Sequence, residues 1–154
     1  MILSAQTIRE RCLYHPMMVV PFYERTREHG MTYGLGPSGY DVRIAENLTV
    51  LPHCAALAST LEQFNMPNDV LGKVADKSTW ARKFLAVQNT VIEPGWRGFL
   101  TLELSNHGHV PLRLVSGMPI AQIIFQLLDE PTEQVYEGKY QDQKSGAVEA
   151  ILES

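Results

Sequence analysis

"GFLTLELSN", Gly98 to Asn106, alternates without a break. Leu100, Leu102 and Leu104 point one way, and Phe99, Thr101, Glu103 and Ser105 point the other, the period of a β-strand with one face against a core. Just upstream, "IEPGW" reads as a Pro-Gly turn of type II, with Gly95 at the position that needs positive φ and Trp96 held at the strand entry. The same alternation recurs on both sides. In "YDVRI", Tyr40, Val42 and Ile44 share a face while Asp41 and Arg43 share the other, and "NLTVL", "PLRLV" and "IAQIIFQLL" continue the pattern. Pro111 and Pro119 suit strand starts. Asn68-Asp69, Pro94-Gly95, His107-Gly108 and Ser116-Gly117 supply turns. Many short strands with regular turn signals predict an all-β sandwich or barrel.

Helix is confined to short pieces. Ser4 can N-cap a helix with Ala5, Ile8 and Cys12 on one face, and a second is expected over Thr79–Leu85. "MMVV", between Pro16 and Pro21, reads as extended, and "GLGPSG" (Gly34–Gly39) as a loop. The polar tail "VYEGKYQDQKSGAVEAILES" reads on its own as a mobile segment. No internal repeat or linker interrupts the chain, so residues 1–154 are expected to form one domain.

Composition narrows the function classes. The 154 residues are 45% hydrophobic and 19% charged, with a formal net charge of −4. Such a chain has no global basic field for nucleic acid, and an anion must be held by a local cluster. No run of about 18 apolar residues predicts a membrane span, and "MILSAQTIRERC" lacks the pattern of a signal peptide. Cys12 and Cys54 are the only cysteines. They are expected to be free thiols in a reducing cytoplasm. Their spacing fits no zinc site, and the H-x-E…P-C-x-x-C pattern of zinc nucleobase deaminases is absent.

Four stretches could carry chemistry. In "DKSTWAR", Ser78 would start a short helix whose N–H groups can meet an anion, Lys77 adds positive charge, and Arg82 falls four residues on, on the same face. The same residues equally describe a capped surface helix with solvated charges. Glu103 is either an exposed strand carboxylate or a general base in a partly buried cleft, where burial raises its pKa. Glu93, before the Pro-Gly turn, reads by itself as an exposed turn charge. "YEGKYQDQ" interleaves Tyr136, Lys139, Tyr140 and Gln143, which could cover a base and meet phosphate or form part of the polar tail. "GLGPSG" lacks the Lys-Ser/Thr of a P-loop, and "GPSGY" is not a nucleophile elbow. His107 and His109 read as an exposed turn pair, with His15, His29 and His53 isolated.

Taken in order, these stretches resemble the dCTP deaminase branch of the dUTPase superfamily. "MILSAQTI" is similar to its opening helix, "GPSGYDVRI" to its Asp-containing strand, and "DKSTWAR" to its R-S-S-L-A-R phosphate element, with Lys77 in place of the first Arg. "IEPGWRGFLTLEL" resembles its D-P-G-W segment, "GMPIAQIIF" a shared superfamily strand, and "YEGKYQDQ" its C-terminal motif. The resemblance implies a distorted dUTPase-like β-barrel, assembled as a homotrimer with active sites between subunits. It implies zinc-independent deamination of a deoxycytidine nucleotide, dCTP plus water to dUTP plus ammonia, in the supply of dUMP and dTTP precursors. Glu103 would activate the water with Ser78 helping to hold it. Lys77, Ser78, Arg82, Tyr136, Lys139 and Gln143 would bind the triphosphate, Arg82 from a neighbouring subunit. Glu93 stands where the family has Asp near the deoxyribose 3′-hydroxyl. No metal would be held by the protein; Mg²⁺ would arrive on the nucleotide phosphates.

One segment departs from that pattern. Between Arg82 and the Pro-Gly turn, "QNTVIEP" is about two residues shorter than the family's H-x-T-A-x-x-I-D hairpin, with Gln88 at the usual His. The residues therefore also admit a dUTPase-like or bifunctional nucleotide pyrophosphohydrolase, with Glu93 orienting water at the α-phosphate. A deaminase for a monophosphate or 5-substituted deoxycytidine nucleotide and a non-catalytic nucleotide-binding regulator remain open as well.

Overall fold

In chain order, a computed structural model of residues 1–154 runs α1 (Ala5–Leu13), β1 (Val19–Val20), β2 (Thr26–Glu28), β3 (Met31–Leu35), β4 (Tyr40–Arg43), β5 (Leu48–Val50), β6 (Ala55–Asn65) and β7 (Val70–Asp76). There follow α2 (Ser78–Ala81), β8 (Leu85–Val87), β9 (Val91–Ile92), β10 (Arg97–Asn106), β11 (Leu112–Leu114) and β12 (Pro119–Leu127). The strands form a six-stranded sheet, β2-β3-β4-β12-β7-β9, a four-stranded sheet, β1-β6-β10-β8, and the pair β11-β5. All pairings of these strands are antiparallel. The result is the expected all-β architecture, a distorted barrel with two short helices.

The alternation read from the sequence orients its strands. Leu102 and Leu104 of β10, Tyr40 and Val42 of β4, and Ile123 and Phe125 of β12 are fully buried in one core. Ile8 and Cys12 seat α1 on that core. Burial of Cys12 pushes its thiol up to about 12, out of the reactive range.

Strand β10 pairs along most of its length with β6, and Glu103 lies directly opposite Leu57. Between Phe99 and Thr101 the register shifts. There the Thr60 hydroxyl accepts from the Leu100 N–H at 3.0 Å and donates to the Glu62 carbonyl at 2.7 Å. Such irregularities re-aim the side chains that follow, here the Thr101–Glu103 face. Glu62, wholly buried, accepts from the Arg43 backbone N–H at 2.9 Å and its Nε at 2.8 Å. The Arg43 guanidinium also lies 4.7 and 4.6 Å from the Tyr23 and Tyr33 ring centroids, a cation–π arrangement.

Three local expectations change. The second helix covers only Ser78–Ala81, because Phe84 turns to φ 64° and Leu85 opens β8. Ser4 occupies the N-cap position of α1 without a side-chain cap bond; its hydroxyl meets Thr7 Oγ1 at 3.3 Å. His53, isolated in sequence, lies edge-on to His109 with ring centroids 5.2 Å apart, because the loop after β5 and the loop after β10 meet.

The tail is docked rather than loose. Gln143 pairs with the start of β10: Phe99 N–H donates to the Gln143 carbonyl at 2.9 Å, and Asp142 N–H to the Arg97 carbonyl at 2.9 Å. Trp96 Nε1 donates to the Tyr140 carbonyl at 2.7 Å. Composition alone hides this, since polar and glycine-bearing residues bind here through backbone groups that any sequence carries.

Candidate active site

The second face of β10, with Phe99, Thr101, Glu103 and Ser105, is half-buried rather than solvated. Strand β9, the Pro94-Gly95 turn and the tail wall it off, leaving a cavity of about 390 Å³. The turn has the expected form: Trp96 N–H donates to the Glu93 carbonyl at 3.1 Å, and Gly95 sits at φ 82°. A Cβ at Gly95 would fall 2.5 Å from Val135 Cβ, so the turn and the tail meet only because residue 95 has no side chain.

Four of the residues singled out in the sequence line this cavity together: Glu93, Glu103, Tyr136 and Gln143. Gln143 Nε2 donates to the Phe99 carbonyl at 2.9 Å and to Thr101 Oγ1 at 2.6 Å. Tyr136 is anchored by its backbone N–H to the Pro94 carbonyl at 2.8 Å, and its hydroxyl accepts from Tyr140 N–H at 3.1 Å. Neither glutamate shares this saturation: Glu93 is exposed, and Glu103 is not. Its Oε2 is buried with no hydrogen-bond partner in the chain, although its own backbone carbonyl is occupied by Gln88 N–H at 3.0 Å. Burial raises the carboxyl above the ordinary glutamate range, against a smaller opposing effect of its own backbone N–H. A buried acceptor left open beside a cavity is equipped to meet a proton donor on a ligand, such as water or an exocyclic amine.

The remaining candidates lie elsewhere on the chain. Lys77 and Ser78 line a separate polar cavity of about 310 Å³ with Arg25, Asp41, Asp76 and Gln122. Lys77 is not a solvated cation: it is buried, and its Nζ donates to Asp41 Oδ2 at 2.6 Å. Trp80 and Ala81 N–H already bond the Lys77 carbonyl. Ser78 remains exposed at the rim, and Arg82 is exposed and lines neither cavity. The expected convergence of Lys77, Ser78 and Arg82 is thus not made within one chain. Lys139 is exposed, directs its Nζ at the Ile151 carbonyl and does not line the Glu103 cavity.

The cavity also holds residues that the sequence did not single out. Thr101 was legible, two positions before Glu103 on one strand face. Leu57, beside Glu103, was not, because Ala and Ser dilute the alternation of "CAALASTLEQFN" and leave the register of β6 unreadable.

With this geometry in view, the comparisons with known proteins are specific. The dCTP deaminase-like family profile matches residues 38–128, from the turn before β4 to the end of β12. The chain belongs to the dCTP deaminase-like family. It is similar to a dCTP deaminase of Campylobacter fetus, 35% identical over 182 aligned positions that cover 97% of each protein. That alignment is longer than this chain's 154 residues, so the relative carries residues with no counterpart here. Among solved structures, the dUTPase of Staphylococcus bacteriophage 80alpha shares the fold with a TM-score of 0.58 at 19% identity, over 76% of this chain and 90% of that one. A dUTPase from phage phi11 of S. aureus, described with a structural Mg(II) ion, superposes with a TM-score of 0.58 at 17% identity, over 83% of this chain and 95% of that one. The family relation and the dUTPase-like fold agree with the sequence expectation on both counts.

Proposed function

We propose that this chain is a hydrolase that deaminates a deoxycytidine nucleotide, dCTP in the first instance, to the uridine nucleotide and ammonia, in the supply of dUMP and dTTP precursors. The observation that carries the reading is the unpartnered, buried Oε2 of Glu103 facing a nucleotide-sized cavity in a member of the dCTP deaminase-like family. In this reading Glu103 takes a proton from water as the oxygen attacks C4 of cytosine. The C4–N3 π pair shifts onto N3, which takes up that proton; the bond from C4 to the exocyclic nitrogen then breaks as the new C4 hydroxyl loses its proton, which the same carboxyl delivers to the departing ammonia. A raised pKa suits a group that must both accept and return a proton near neutrality.

Tyr136 and Gln143 would hold the nucleotide from the tail side and Glu93 the sugar. Ser78, Lys77 and Arg82 would serve the phosphates and, at Ser78, the water. Because Glu103 and Arg82 do not share a cavity within one chain, the reading includes a homotrimer in which a neighbouring copy completes each site. Lys139 would reach phosphate only by leaving the Ile151 carbonyl. No three His, Cys, Asp or Glu side chains gather into a metal cage, so Mg²⁺ is assigned to the nucleotide's own phosphate oxygens, as part of the substrate. The 154 residues act as one domain in this reading. The setting is cytoplasmic, which the two cysteines without a disulfide support.

Product analysis tests the proposal. With Mg²⁺ and dCTP the expected products are ammonia and dUTP; dCMP and dUTP are run separately. Pyrophosphate with a monophosphate from dUTP, and no ammonia from either cytidine nucleotide, would assign the site to phosphate hydrolysis instead. Binding without any product would make the chain a nucleotide-binding regulator.

A further inference from the structure

The wall of the cavity beside Glu103 is mostly hydrocarbon, and within one chain part of it is uncovered. Leu57 stands directly across the strand pair from Glu103, where side chains of opposed residues share one face about 5 Å apart. It is 39% exposed, although it lies on β6, between β1 and β10. Val91, which lines the same cavity from β9, is 46% exposed. Strands β8 and β9 are joined by only Gln88, Asn89 and Thr90, a connection pulled tight by Thr90 N–H on the Gln88 carbonyl at 2.9 Å and tied to β7 through Val74 N–H on the Thr90 carbonyl at 3.0 Å. No hairpin tip reaches over the cavity from this side.

The chemistry of cytosine decides what faces that wall. The C4 amino group, at Glu103, is flanked on the ring by N3 on one side and C5 on the other. N3 and O2 are hydrogen-bond acceptors and would be left unpaired against leucine and valine. The C5–C6 edge needs no partner. The ring therefore turns C5 toward Leu57 and Val91, and space lined by apolar side chains remains beyond C5.

We infer that this cavity accepts deoxycytidine nucleotides bearing an apolar substituent at C5, with Leu57 and Val91 as the residues that set this tolerance. The inference rests on the deamination reading of the same cavity and specifies its substrate class. For a 5-methyl substrate the reaction balances as before: water adds at C4, the C4–N bond breaks, ammonia leaves, and the product is the thymine nucleotide. Covering one more carbon predicts a gain of up to about fourfold in kcat/KM, the equivalent of about 0.8 kcal/mol.

The test compares ammonia release from dCTP and 5-methyl-dCTP by the full chain, by Leu57→Phe and by Val91→Phe. The expected wild-type result is a kcat/KM for 5-methyl-dCTP equal to that for dCTP or up to about fourfold above it. In each variant the ratio of 5-methyl-dCTP to dCTP should fall at least tenfold, whatever happens to dCTP turnover itself. Val91 lies on a two-residue strand at the sheet edge, so its variant keeps the test open if Leu57→Phe does not fold. Wild-type turnover of dCTP with 5-methyl-dCTP tenfold slower or worse overturns the inference and leaves the deamination reading standing. An unchanged ratio in a folded variant removes that residue from the assignment. Ammonia from neither nucleotide overturns the deamination reading itself.

Discussion

Glu103 Oε2 has no partner within the chain, and burial holds the carboxyl above its ordinary range. The sign of the consequence is set by linkage. A carboxyl whose folded-state pKa exceeds its unfolded value of about 4.3 binds its proton more tightly when folded. Stability therefore falls as pH rises from that unfolded value through the folded one. Glu103→Gln removes the penalty, so its Tm should exceed wild type at pH 7 and converge with it near pH 4. A Tm gain that persists unchanged at pH 4 would mean that the effect is not electrostatic. Lys77 gives the opposite case. It is buried and paired with Asp41, and breaking a buried pair typically costs about 3–5 kcal/mol because the remaining charge is stranded. Lys77→Met should lower unfolding stability in urea by an amount of that order. Unchanged stability in urea would show that the Lys77–Asp41 pair does not support the fold.

Among the elements, what was legible in the sequence follows from period and turn chemistry. The alternation of β10, β4 and β12 identified their core faces, and Pro94-Gly95 identified the turn, because each signal is local. The tail and β6 were not legible, since their positions depend on backbone pairing and register that no local pattern encodes. The approach of Asp41 to Lys77, 36 positions apart, is equally non-local. The tail's seat on β10 requires a close backbone approach at Gly98. A Cβ there would lie 2.7 Å from Gln143 N and 2.8 Å from Gln143 O, and residue 98 has φ 143°. Gly98→Ala should therefore unseat Gln143 and speed trypsin cleavage at the exposed Lys144 several-fold. Cleavage at the wild-type rate would show that the tail is not held by this contact.

Across the whole molecule, the two cavities divide the candidate residues: Glu93, Glu103, Tyr136 and Gln143 on one, Lys77 and Ser78 on the other, with Arg82 outside both. If a second copy completes each site, chains inactivated at Glu103 and at Arg82 carry different defects. Glu103→Gln and Arg82→Ala, mixed and allowed to exchange subunits, should recover a fraction of wild-type ammonia release that neither has alone. No recovery after demonstrated exchange would mean that Arg82 and Glu103 of one site come from the same chain.

The central claim is that one carboxylate moves the proton in deamination. It is met most directly by measuring ammonia release from dCTP by wild type and Glu103→Gln under identical conditions, with nucleotide affinity measured alongside. The account predicts that the variant binds dCTP as wild type does and releases ammonia about 10²–10⁴-fold more slowly, the range that general acid–base catalysis contributes. Ammonia release by Glu103→Gln at the wild-type rate would contradict it.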